Sequence, residues 1–90
     1  MKFAQIVFMQ DEEAREVGEM MNDNGIEAVV EYLAQWDNGE YGDVRDESTA
    51  GMGWQENVHR SGDYVLTWNP YIGYFGLQRL VEDDYSPLPV

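Results

Sequence analysis

Cysteine is absent from the ninety residues, which excludes a structural disulfide, a thiolate zinc site, an iron–sulfur cluster and a cysteine nucleophile. Positive charge is scarce: five Lys and Arg stand against eighteen Asp and Glu, a formal net charge of −13. So few cations disfavour direct binding to DNA or RNA, whose phosphates need a basic face. An anionic membrane would repel the chain as well. The single histidine, His59, lies beside Arg60 and reads as a surface or packing residue. Ser48 and Ser61 fall in loop-like sequence with no nucleophile-elbow context, and Gly51-Met52-Gly53 lacks the lysine and the following helix of a phosphate loop. Carboxylate pairs abound here, so their presence says little about acid–base chemistry. No enzyme activity is expected. No apolar run approaches a membrane span. The stretch MKFAQIVFMQDEE has one basic residue and no small-residue cleavage site, so no secretory leader is expected and the host cytosol is the expected location.

What the chain does have is enough apolar material for one core. Ninety residues with three Trp, six Tyr and three Phe argue for a single compact domain, expected over 1–85 with a loose tail at 86–90. Lys2 to Met9 reads as a first strand. Asp11 follows as a helix N-cap, with Glu12 and Glu13 in the first turn, where the helix dipole favours anions. Ala14, Val17, Gly18 and Met21 recur at helical spacing and mark a buried face. Asn22 to Gly25 stops that helix, with Gly25 suited to a left-handed C-cap. A second helix is predicted over Ile26 to Trp36, with Ile26, Val29, Val30 and Leu33 inward and Trp36 as an optional fifth.

From Asp37 to about Gln55 the sequence predicts a long loop, with a short strand around Tyr41 to Val44 as an option. ENVHR, YVLTWN and YFGLQRLV then read as strands, joined by SGD and NPYIG turns. The predicted class is α+β in two layers, with order β-α-α-loop-β-β-β and a C-terminal antiparallel hairpin or meander.

The charge is the lead to function. QWDNGEYGDVRDE, residues 35 to 47, holds five carboxylates and one arginine. On the helices Glu12, Glu13, Glu16, Glu19, Glu27 and Glu31 fall outside the apolar stripes, with Arg15 alone of opposite sign. Such acidity either steers the chain to a basic partner or serves solubility only. A calcium loop fits MMNDNGIEAVVE in part: with Met20 first, Asn22, Asn24, Gly25 and Glu31 fall at positions 3, 5, 6 and 12. Methionine stands where the ion needs its first carboxylate, and charged Glu27 where an apolar residue anchors the loop. A helix-to-helix turn is the better reading. DNGEYGDVRDE follows no ligand spacing either, so neither metal nor cofactor is expected.

Two segments, IEAVVEYLAQWDNGEYGDV and GDYVLTWNPYIGYFGLQRL, resemble small acidic proteins of bacteria and their phages. The likeness lies in an xYLxQWDxGE helix end and a GDYVLxWNxxxGYxGL hairpin, over roughly half of the chain. It implies a phage or mobile-element setting, and no activity or functional residue. In that setting, small acidic inhibitors of the DNA-mimic kind (anti-restriction and anti-CRISPR) place carboxylates where a basic groove expects phosphates. A helix sets acids about 5–6 Å apart, against phosphates that rise about 3.4 Å each.

The expected function is non-enzymatic: occlusion of the basic nucleic-acid-binding surface of a host or defence protein. Contacts are expected from Glu12, Glu16, Glu19, Asp37, Glu40, Asp43, Asp46 and Glu47, with Trp36 and Tyr41 as apolar anchors. The alternative is an interaction or structural module, homodimeric through its aromatic hairpin, whose charge keeps it soluble. A calcium-responsive module ranks third.

Overall fold

A computed structural model of the chain describes residues 2–41, 44–46, 57–69, 71 and 73–82. Seven elements follow in order: β1 (Lys2–Gln10), α1 (Asp11–Asn24), α2 (Ile26–Ala34), β2 (Val44–Asp46), β3 (Asn57–Ser61), β4 (Tyr64–Asn69) and β5 (Tyr74–Val81). The strands form one antiparallel sheet in the order β2-β1-β5-β4-β3. Both helices pack on one face of it, giving the two-layer α+β arrangement expected. The predicted 37–55 loop holds a strand of its own, β2, at Val44–Asp46, which meets the expected 41–44 strand at Val44; it lies on the outer side of β1, pairing Val44 with Ala4. Residues 83–90, including the expected tail, lie outside the described residues.

Alternation decides which side chains meet the helices, and one irregularity keeps that alternation in phase. Gln5 pairs with Gln78 but Val7 with Leu77, so Ile6 is an extra residue in β1, a bulge. Without it Val7 and Met9 would fall on the face opposite Ala4. With it they stand beside Leu77 and Phe75 on the helix side, and Phe8 turns to the open side. The core gathers Met9 and Phe75 from the strands, Leu66 and Leu77 beside them, and Ala14, Val17, Val29, Val30 and Leu33 from the helices. A smaller cluster of Phe3, Val65 and Leu80 lies on the other face.

The helix ends differ from expectation at two places. Gln10, extended at φ −131°, occupies the N-cap of α1 and makes no side-chain cap bond. Asp11, expected as the cap, is the first helical residue instead, with a positive φ of 55° where β1 passes into α1 with no linker. Its charge still belongs to the first turn, together with Glu12 and Glu13. Gly25 does end α1, its N–H donating to the Met21 carbonyl at 3.0 Å. Its backbone, φ 91° and ψ 170°, lies outside the left-handed helical region, in territory open essentially to glycine alone. That turn reverses the chain in a single residue and starts α2, which is helical only to Ala34.

Candidate acidic interaction surface

The outward side of α1 is a row of carboxylates. Ala14 and Val17 are pulled inward by the core, and the helical period then leaves Glu12, Glu16 and Glu19 in water. Among the described residues Arg15 pairs with Glu12 alone, at 3.6 Å, and both side chains are well exposed. Glu13, Glu16 and Glu19 have no ion-pair partner among the described residues. On α2, Glu31 is exposed too, but Glu27 is tied down. Ser61 donates to its Oε2 at 2.7 Å, and His59 Nε2 lies 2.6 Å from its Oε1. These contacts, the His59 hydrogen bond first and Ser61 next, hold the Glu27 carboxyl below its ordinary range. They fasten the helix layer to edge strand β3.

The second expected patch divides. Asp37 is not a surface acid: its side chain keeps only 6% of its exposure. Oδ2 accepts from the Tyr64 hydroxyl at 2.6 Å and from Arg79 at 2.8 Å. Oδ1 accepts from the Tyr41 hydroxyl at 2.9 Å and from the Gly39 amide at 3.0 Å. Burial alone would raise the Asp37 carboxyl, but these four donors outweigh it and hold the group well below the usual carboxylate range. Burial, then the Asp37 hydrogen bond and charge, pushes the Tyr41 phenol up to about 12 and raises Tyr64 as well. The hydrogen bond to Asp37 raises the Arg79 guanidinium in turn. That guanidinium lies 5.7 Å from the Tyr64 ring centroid and 6.0 Å from that of Tyr41. Asp37, expected on the surface, is instead buried, and with Tyr41 it forms a latch that ties the end of α2 to β4 and β5.

Of the rest, Glu40 is exposed, its N–H donating to Asn38 Oδ1 at 2.9 Å. Trp36 is 43% exposed and sits edge-on to Tyr32, with ring centroids 5.3 Å apart. Asp46 belongs to β2, where it pairs with Lys2. Asp43 and Glu47 lie outside the described residues. Glu12, Glu16 and Glu19 are thus brought together on one helix, while Asp37 leaves the second patch. No protein family, curated protein or solved structure matches the chain.

The aromatic hairpin is two-sided. Trp68 and Phe75 face the helices, nearly parallel at 6.3 Å, whereas Tyr74 stacks on Phe8 at 5.2 Å on the open side. Tyr71, at the turn, is 86% exposed. The stretch Met20–Glu31 is the end of α1, Gly25 and the start of α2, so the helix-to-helix turn is what forms there. Among the described residues no group of three or more His, Asp or Glu is placed so that it could hold a metal ion, and no helix is long and apolar enough to cross a membrane.

Proposed function

We propose that this is a non-enzymatic acidic binding protein that occludes the basic nucleic-acid-binding surface of a host or defence protein, in the manner of DNA-mimic anti-restriction or anti-CRISPR inhibitors. The observation that carries the reading is the α1 row: Glu12, Glu16 and Glu19 exposed on a helix seated on a five-stranded sheet, with one cation near one end. A helix so held presents its charges already ordered, so little conformational entropy is lost on binding. Trp36 and Tyr32 offer an exposed aromatic pair of the kind that anchors interfaces, and Glu40 adds charge after α2.

The triple variant Glu12→Lys, Glu16→Lys, Glu19→Lys tests it. From nuclease-treated host lysate, the wild type should retain a nucleic-acid-binding protein at low salt and compete with nucleic acid for it. High salt should release that protein, as the screening length falls from about 10 Å toward 3 Å. The triple variant, with its circular dichroism spectrum intact, should retain nothing; unchanged capture would sink the proposal.

The half-exposed Phe8, stacked on Tyr74, and the exposed Tyr71 favour one second reading, a homodimer through the open side of the hairpin. Trp68 faces the helices, so Phe8→Asp is the informative change. Light scattering should give a salt-insensitive dimer for the wild type and a monomer for the variant. A monomeric wild type at every concentration removes this reading.

A further inference from the structure

A groove of ≈ 510 Å³ opens between α1 and the β4–β5 hairpin, running alongside the acidic row. Its floor is Trp68 and Phe75 on the helix-facing side of the sheet, and Ala14, Gly18 and Met21 line the α1 wall. The space exists because residue 18 has no side chain. A Cβ placed there would meet only Phe75 Cε2, at 3.9 Å, an ordinary contact. Glycine inside a helix costs about 0.5–1 kcal/mol relative to alanine, and packing does not require it here. Asp11, Arg15 and Glu19 line the groove as well, two carboxylates against one cation, and Arg15 is turned partly to Glu12 at 3.6 Å. An aromatic floor with two carboxylates at its margin suits a side chain that has an apolar stem and a planar cation.

We infer that the groove receives an arginine side chain of the basic partner, its guanidinium over Trp68, between Asp11 at one end of the groove and Glu19 toward the other. This rests on the reading of α1 as the binding surface and names what that surface recognises. Arginine fits better than lysine because its flat guanidinium both stacks on an indole and forks onto carboxylates. The acidic row then supplies long-range attraction, and the groove supplies residence.

The probe is a hexa-arginine peptide, titrated into the labelled full chain and followed by the amide and indole N–H resonances. In the wild type, the Trp68 indole and the Gly18 and Gly73 amides should shift and saturate, together with the Glu12 and Glu16 amides on the outer face. Gly18→Leu narrows the groove over Phe75 and keeps a good helix former in α1. It should erase the Trp68 and Gly73 shifts and weaken the peptide roughly tenfold, about 1.4 kcal/mol, while the outer-face shifts persist. A hexa-citrulline peptide, uncharged but of similar shape, should shift neither set. Outer-face shifts without any at Trp68 in the wild type would overturn the groove inference and leave the acidic surface standing. Equal wild-type and Gly18→Leu affinities would overturn it likewise. Shifts in neither place would remove both.

Discussion

A single carboxylate, that of Asp37, holds more of this structure than any other polar side chain described. Four donors converge on it from the loop after α2, from β4 and from β5. Breaking a fully buried ion pair by removing one partner costs about 3–5 kcal/mol. Arg79 keeps 36% of its side-chain exposure and can turn toward water, which lowers that figure. Asp37→Ala is expected to cost about 2–3 kcal/mol in urea denaturation. The sign of the pH dependence follows from the depressed folded value. The contribution of Asp37 is complete above the unfolded value, near 3.9, and is lost as pH falls through the folded one. Wild type should thus lose stability below about pH 4 through a component that Asp37→Asn lacks. Parallel acid limbs in the two proteins would refute this role.

At the scale of elements, α1 and the turn that ends it contain two glycines with opposite consequences. Gly25 holds φ 91° and ψ 170°, and a Cβ at that position would have nothing within 4 Å, so replacing it strains the backbone and nothing else. Gly25→Ala should destabilise by about 1–3 kcal/mol. Gly18 is helical, and Gly18→Ala should stabilise by about 0.5–1 kcal/mol; thermal unfolding of both variants reads the contrast. The elements themselves were largely legible. Helical spacing located α1 and α2, and β-branched and aromatic runs between turn residues located β1, β4 and β5. Strand β2 was harder to see, since three residues carry no alternation and their pairing with β1 is what makes them a strand. The bulge at Ile6 has no local signature and is required only by the side on which Leu77 and Phe75 must meet β1. The outward acids of α1 could be read from the period of the helix. Asp37 could not be placed, because its burial depends on Tyr64 and Arg79, 27 and 42 residues away. One hint was there: Arg79 stands in an apolar strand, YFGLQRLV, where a cation needs a partner.

For the whole molecule, a net charge of −13 opposes folding and, under the proposed function, favours binding. Carboxylates confined to a radius of gyration of 13.0 Å repel one another more than in the open chain. Raising sodium chloride from about 0.01 to about 0.5 M should therefore raise the melting temperature by several degrees, as about 1 kcal/mol does in a domain of this size. The same addition should weaken capture of a basic partner. A melting temperature independent of salt would mean that self-repulsion contributes little, and solubility would then need no trade against stability.

The strand order has a consequence for how the chain is made. β1 leaves the ribosome ahead of the other elements described, yet its long partner, β5, begins only at Tyr74. At about 5–20 residues per second, the apolar segment KFAQIVFM waits seconds for the edge it will occupy. Immediately behind it emerge Asp11, Glu12 and Glu13, charges of the kind that flank sticky strands and discourage them from pairing with neighbouring chains. The acids that open α1 thus stand beside β1 throughout synthesis, as they do in the folded chain.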